Sequence, residues 1–283
     1  MMQNYPHAII TGGSSGIGKA IALRLARQGA NVSIIARNAE RLDKAQHDIE
    51  QAVGPKQEPE QQVVAVSADV SDRPQAERAI QEAIAQLGPP RWLITCAGIA
   101  RPGYFQEMPI EVFEQTMAIN YFGTLYCVRA ALPALVAQGQ GHVAMVSSGA
   151  GLVGVYGYSA YCPSKFALRG LAETLRAELK SMGVGVSITY PPDTDTPQLA
   201  EENKTKPPAT KKITATADVW SADGVAHVIL NGIGRGQFAI TPGLEMGVLH
   251  RLHSVIAPLL NRYFDRIVAR HPTGSNRSEE IAG

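Results

Sequence analysis

The run His7 to Thr11, followed at once by Gly12-Gly13-Ser14-Ser15-Gly16-Ile17-Gly18, limits the folds open to this chain more than any other segment. A short apolar run ended by glycines reads as a buried strand. Behind the glycines, Ile17, Ile21, Ala22 and Leu25 recur at helical spacing, with Lys19, Arg24 and Arg27 on the other side. Glycine is required where backbone turns tightly against a pyrophosphate, and a helix start adds unpaired N–H groups and a positive dipole end. A plain Gly-rich turn is the alternative, but the strand before and the helix behind favour a dinucleotide site. Gly12, Ser14, Ser15, Gly16, Ile17 and Gly18 would surround the phosphates. The spacing is G-x-x-x-G-x-G rather than the commoner G-x-G-x-x-G.

A second strand, Asn31 to Ala36, runs into Arg37 and Asn38, with Arg41 one turn further on. Sites for NAD place a carboxylate near this strand end, whereas arginine accommodates a 2′-phosphate through its planar donor fork. The absence of an acidic residue here and the two guanidinium groups favour NADPH, although Glu40 between them could pair with either. Asp69-Val70, after a third strand (Val63 to Ala68), is expected beneath the adenine.

Tyr161 and Lys165 are four residues apart, so on a helix both lie on one face. A tyrosine of ordinary pKa, about 10, rarely ionises at neutrality, and a lysine cation alongside is expected to lower it. Ser148, on a loop after a strand, would hydrogen-bond a carbonyl oxygen and hold it against the phenol. Such a constellation donates a proton to a carbonyl being reduced.

From residue 7 to about 200 the chain resembles the short-chain dehydrogenase/reductase family. The features that carry the likeness are the glycine motif, the 13-residue spacing of Ser148 and Tyr161, the Y-x-x-x-K, and Asn120 within Met117 to Gly123. The resemblance implies a catalytic set of Asn120, Ser148, Tyr161 and Lys165. Asn120 would tether a relay water and Lys165 would hold the nicotinamide ribose. It also implies cofactor contacts at Gly98, Thr194 and Thr196, and a homo-oligomer built on the helices after Asn120 and Tyr161. Two departures stand out. The family's N-N-A-G reads Thr95-Cys96-Ala97-Gly98, and its P-G-x-x-x-T reads Pro191-Pro192-Asp193-Thr194-Asp195-Thr196. The second proline fixes φ and removes an N–H beside the nicotinamide position.

The loop Tyr190 to Pro197, the run Ala200 to Pro207 and the helix start Ser164 to Glu173 resemble the 3-ketodihydrosphingosine reductases, a branch of that family. This likeness implies a long-chain lipid ketone as substrate and NADPH as cofactor. A reductase of another hydrophobic carbonyl (a 3-oxoacyl thioester, a steroid or retinal) stays open. So does a nucleotide-binding sensor without chemistry, which would have no need of four competent catalytic residues.

The expected architecture is α/β, a doubly wound parallel sheet of Rossmann type with a C-terminal amphipathic helical extension. Residues 1–240 would form one reductase domain carrying a substrate loop at 191–220, with Gly54 to Gln62 as a surface loop. The lysines, prolines and threonines of 200–220 suggest mobility. Residues 241–270 would form the helical segment and 271–283 a disordered tail. In that segment apolar residues between Val248 and Val268 alternate with Arg251, Arg262 and Arg266, and Pro258 is expected to kink or divide the helix. The stripe at 248–268 suits a lipid surface, a partner subunit or the chain's own core.

A net charge of +1 with scattered basic residues does not support a nucleic-acid partner. Cys96, Cys127 and Cys162 suggest free thiols in a reducing compartment. The histidines form no metal set, and His250 and His253 read as solvated, so no metal is expected. Met1 to Pro6 is short and polar, and no apolar run reaches the roughly 18 residues of a spanning helix. The expected location is cytoplasmic, peripheral at a membrane surface if the C-terminal stripe meets lipid.

Overall fold

The structure, a computed structural model, describes residues 5–53, 61–215 and 218–271. Most of the expected loop at Gly54 to Gln62, and the tail beyond His271, lie outside the described residues. The N-terminal half alternates β1 (His7–Thr11), α1 (Gly16–Arg27), β2 (Asn31–Ala36), α2 (Ala39–Ala52), β3 (Val63–Ser67), α3 (Arg73–Leu87) and β4 (Pro90–Thr95). Helix α4 (Ile110–Met117) leads through a π-helical turn (Ala118–Phe122) into α5 (Gly123–Ala137), followed by β5 (Gly141–Val146), α6 (Tyr161–Lys180) and β6 (Val184–Thr189). Beyond lie β7 (Thr194–Asp195), α7 (Pro197–Thr205), α8 (Pro208–Thr214), β8 (Trp220–Ser221), α9 (Ala222–Gly234), β9 (Ala239–Ile240) and α10 (Leu244–Ala269).

Seven strands form one parallel sheet in the order β3-β2-β1-β4-β5-β6-β9. All five residues of β1 are buried, as a central parallel strand covered on both faces requires. Side chains alternate across it. Ile9, Ile35 and Leu93 face the layer of α3, α5 and α6, while Ile10, Ile34 and Ile94 face α1, α2 and α9. Each such side chain contributes about 2 kcal/mol when taken from water. The outer face of α1 is less solvated than its charges suggest. Lys19 pairs with Asp48 of α2, and Arg24 holds Asp223 of α9 through two bonds of 2.7 and 2.6 Å.

Four expectations change. Helices α4 and α5 run end to end over Ile110–Ala137, long and apolar enough to cross a membrane by length and composition alone. Yet Cys127, Val128, Ala131 and Leu135 on it lie in the core and Asn120 is buried, which is the pattern of an internal helix. Pro258 does not divide the last helix, which is continuous from Leu244 to Ala269. His250 is not solvated: its ring stacks on the buried Tyr190 with centroids 5.4 Å apart. The loop after β6 is largely helical, because Thr196 caps α7 and prolines occupy the first turns of α7 and α8. A short parallel pair, β7 with β8, ties its base.

Two imidazoles, His7 buried and His142 half-buried, cross-link the sheet. His7 Nδ1 donates to the Gly88 carbonyl (2.7 Å), so its Nε2 accepts from the Ser33 hydroxyl (2.8 Å), and His142 meets Ser187. Burial lowers both pKa values from 6.5 to about 4, with Arg91 adding to the effect on His142. The unfolded chain takes up these protons near pH 6.5 but the fold resists them until about 4. Their stability is therefore full above 6.5 and is lost as pH falls through that window, on the order of 3 kcal/mol for each histidine. The urea midpoint is expected to drop between about pH 7 and pH 4, and less so in His7→Gln, which cannot charge. An equal drop in that variant would remove His7 from the explanation.

Candidate active site

A cleft of about 1500 Å³ opens outside the carboxyl ends of the strands, where the order reverses between β1 and β4. Open α/β sheets bind ligands at this reversal. The volume exceeds that of ordinary small-molecule pockets and leaves room for two ligands.

Gly12 sits at φ +68°, and a Cβ there would lie 2.7 Å from the Ala97 nitrogen. At Gly18 a Cβ would come within 2.3 Å of the Gly12 carbonyl oxygen. Both positions therefore demand glycine, and the backbone of β1, the β4 loop and α1 close together. Helix α1 begins at Gly16, has no acidic residue in its first turn, and receives no side-chain cap from Ser15. Its first N–H groups are left for a ligand in the cleft that Gly12, Ser14, Ser15, Gly16, Ile17 and Gly18 line.

At the end of β2, Arg37, Asn38 and Arg41 line the cleft. Arg37 is half exposed and 3.8 Å from Asp69, whereas Arg41 forms no ion pair among the described residues. Free helix N–H groups with two guanidinium groups fit a dinucleotide bearing an extra ribose phosphate. Asp69, expected beneath the adenine, is engaged by its own protein neighbours. Its Oδ1 accepts from the Ser71 N–H and hydroxyl and its Oδ2 faces Arg37, so Ala68 and Val70 form the wall beside it. The β4 loop, which lacks the family's asparagine, is tied by Thr11. The Cys96 N–H donates to the Thr11 carbonyl, and the Ala97 N–H to its hydroxyl. Burial raises Cys96 to about 12 and pushes Cys162 up too, so these thiols are fillers rather than nucleophiles.

At the centre, α6 starts at Tyr161 and directs Tyr161 and Lys165 inward, both buried. Lys165 Nζ donates to the Val146 carbonyl at 3.1 Å and lies 5.5 Å from the centre of the Tyr161 ring. Ser148 starts the tight turn after β5, with its hydroxyl accepting from the Ala150 N–H (3.2 Å) and bonded to the Tyr161 phenol. Gly98 completes the wall near Asn120 and Lys165. Thr194 and Thr196 also line the cleft, but their hydroxyls donate to the carbonyls of Pro192 (2.8 Å) and Thr194 (3.1 Å).

The expected lowering of the tyrosine pKa is not what the structure shows. Burial pushes the Tyr161 phenol upward, the negative charge of Glu202 adds to this, and bonds from Ser148 and Gln198 offset part of it. The lysine stands over the ring face rather than at the hydroxyl, and its own pKa is lowered by burial to about 8. At neutral pH the pair is a phenol beside an ammonium, an acid ready to donate.

Asn120 is wholly buried in the π-helical turn, a distortion common at functional sites. Its Oδ1 accepts from the Ile99 N–H (2.8 Å), and its Nδ2 donates to the Ile99 carbonyl (3.0 Å) and the Ser164 hydroxyl (2.9 Å). The amide is thus a cross-tie between the β4 loop and α6. Asn120→Ala strands those groups in the interior, and a loss of about 2–4 kcal/mol is expected. Urea unfolding checks it, and a midpoint equal to that of the parent protein would contradict the cross-tie.

Sequence reasoning missed three residues here. Tyr158 donates to Glu202 at 2.7 Å, and Gln198 donates to Glu202 (2.9 Å) and eases the Tyr161 pKa downward. The signal available was Gln198 and Glu202 four apart behind a Thr196-Pro197 helix start.

Comparison with known proteins agrees with this geometry. Residues 6–207 match the model of the short chain dehydrogenase family. A Mus musculus protein named 3-ketodihydrosphingosine reductase is 43% identical over 255 residues, 89% of this chain and 76% of that one. Among solved structures, a short-chain dehydrogenase from Sphingobium yanoikuyae in complex with NADPH is 25% identical (TM-score 0.75, covering 90% of this chain and 95% of that one). A short chain dehydrogenase/reductase from Burkholderia phymatum in complex with NAD shares the fold at 23% identity (TM-score 0.79, covering 92% and 96%). The chain belongs to the short-chain dehydrogenase/reductase family of oxidoreductases.

Proposed function

We propose that this protein reduces the ketone of 3-ketodihydrosphingosine to the alcohol with NADPH. The observation that carries the reading is the continuity of the cleft. It runs from Arg37 and Arg41, past Tyr161, to an apolar wall of Met246, Leu249, Leu260, Tyr263 and Phe264 on α10. A long hydrocarbon chain needs such a wall, and a small ketone does not. The relative named 3-ketodihydrosphingosine reductase supports the same substrate.

The chemistry that the dinucleotide supplies when bound is a hydride for the carbonyl carbon. Ser148 orients the carbonyl oxygen, and Tyr161 gives its proton to the developing alkoxide, a far stronger base than phenolate. The Lys165 ammonium stabilises the resulting phenolate and holds the nicotinamide ribose, and Asn120 fixes the frame between them and tethers the relay water. Thr194, Thr196 and Gly98 line the nicotinamide end, and the phosphates rest on the α1 N-terminus. The two arginines favour NADPH, while solved neighbours carry either dinucleotide.

The outer face of α10 exposes Leu244, Val248, Leu252, Val255 and Leu259 along one stripe. This face would rest on a lipid surface while the inner face covers the cleft, which suits a substrate drawn from a membrane. The exposed Phe122 and Phe166 near the starts of α5 and α6 support a homo-oligomer formed on those helices.

With 3-ketodihydrosphingosine in mixed micelles, oxidation of NADPH is expected. Binding of NADPH without turnover would make the substrate wrong while leaving the nucleotide site intact. Tyr161→Phe should lose at least about 100-fold in kcat and keep its NADPH affinity. Replacing Arg37 and Arg41 together by serine should weaken NADPH by about 10- to 100-fold and NADH little. Equal loss for both dinucleotides would refute the phosphate role.

A further inference from the structure

Glu202 places a carboxylate at the substrate end of the cleft, only 7% exposed. Gln198 and Glu202 stand one turn apart on α7, so they face the same way. Both carboxylate oxygens have partners, but neutral ones: Tyr158 on Oε2 at 2.7 Å and the Gln198 amide on Oε1 at 2.9 Å. Among the described residues no lysine, arginine or histidine forms an ion pair with it, and Lys206 of the same loop is taken by Asp193 at 3.3 Å. A buried carboxylate without a counter-ion is costly, and it favours any cation that the cleft delivers.

The position of this charge matters as much as its sign. Gln198 donates to Glu202 and, with Glu202, acts on the Tyr161 phenol, and Tyr158, the other partner of Glu202, has its ring 5.6 Å from that of Tyr161, so the carboxylate lies close to the proton donor. Tyr161 marks where the ketone oxygen must sit. A positive group on the carbon next to the ketone would therefore point toward Glu202. 3-Ketodihydrosphingosine carries an amine on that carbon, an ammonium at neutral pH. We propose that Glu202 is a specificity-determining residue that receives the ammonium of an α-amino ketone, an inference that rests on the reductase reading above. It gives a role to a buried charge that neither donates the proton nor touches the hydride path. The hydrocarbon then runs away from Glu202 toward α10, and the polar head is fixed at the reacting end.

Two ketones test it: 3-ketodihydrosphingosine and the same long-chain ketone with hydrogen in place of the amino group. The readout is the ratio of their kcat/KM values. The parent protein should favour the amine by about 30-fold or more, and Glu202→Gln, which keeps a partner for Tyr158, should bring that ratio to near one. A second measurement needs no variant. The KM of the amine should rise as pH climbs through the pKa of the substrate's own ammonium. The groups facing Glu202 are Tyr158, Tyr161 and Lys165 with the Asp193–Lys206 pair, and their titration, Lys165 near 8 included, is common to both ketones. The amine-free ketone should thus lack the KM rise. A ratio unchanged in Glu202→Gln, or identical KM profiles for the two ketones, would overturn the role of Glu202 and leave the reductase reading standing. No turnover of either ketone by the parent protein would overturn both.

Discussion

The approach of Gly12 to the Cys96–Ala97 peptide is the contact on which the remaining geometry depends. At that point β1 and β4 are neighbours, while their following segments leave to opposite faces of the sheet. A crevice exists only because the two backbones part there, and it stays tight only because no side chain intervenes. Had the chain a Cβ at Gly12, the Ala97 nitrogen 2.7 Å away would have to move, carrying Gly98 and Ile99 with it. Ile99 is the partner of Asn120, and Asn120 bonds Ser164 on the helix that carries Tyr161 and Lys165. One glycine contact is thereby linked through three hydrogen-bonding steps, the last from the Ser164 hydroxyl to the Tyr161 carbonyl, to Tyr161.

Burial governs the chemistry at the other end of that linkage. Desolvation favours the neutral form of Tyr161 and of Lys165 alike, and so works against the ion pair that a sequence motif suggests. The structure resolves the conflict by separation. The ammonium is anchored on the Val146 carbonyl and meets the ring rather than the hydroxyl. An acid that stays protonated suits reduction, where the acceptor is an alkoxide forming in the same step. Oxidation of the alcohol would instead need the phenolate, which this environment disfavours. The surroundings of Tyr161 thus keep the phenol protonated.

What sequence could and could not reveal follows from the range of the forces involved. The tight turn at Gly12–Gly18 was legible because glycine positions report local backbone geometry. Tyr161, Lys165 and Ser148 were legible because a helix face and a strand end place them without long-range information. The three-layer sheet followed from alternating apolar runs whose two faces, such as Ile9 and Ile10, are both buried. The engagement of Asp69 by Ser71 and Arg37 was not legible, because it depends on where two loops meet. Nor was the order in the 197–214 loop, where lysines and prolines suggest mobility but caps and a two-residue sheet form helices instead. His250 and Glu202 were missed for a shared reason. Each looks solvated in the sequence, but Glu202 is buried and His250 half-buried by a segment far along the chain.

Glu202 also connects recognition to catalysis. Its negative charge is among the causes that hold the Tyr161 pKa up, so in the free protein it opposes formation of the phenolate. In the proposed reduction, an ammonium seated on that carboxylate would cancel the opposing charge as Tyr161 gives up its proton. A ketone without the amine leaves the carboxylate uncompensated and the phenol a weaker acid. The amine then contributes twice, to binding through the ion pair and to the rate through the tyrosine it does not touch. Such an arrangement draws on a part of the substrate that does not react to stabilise the transition state, and it needs only one charged side chain placed close to the donor.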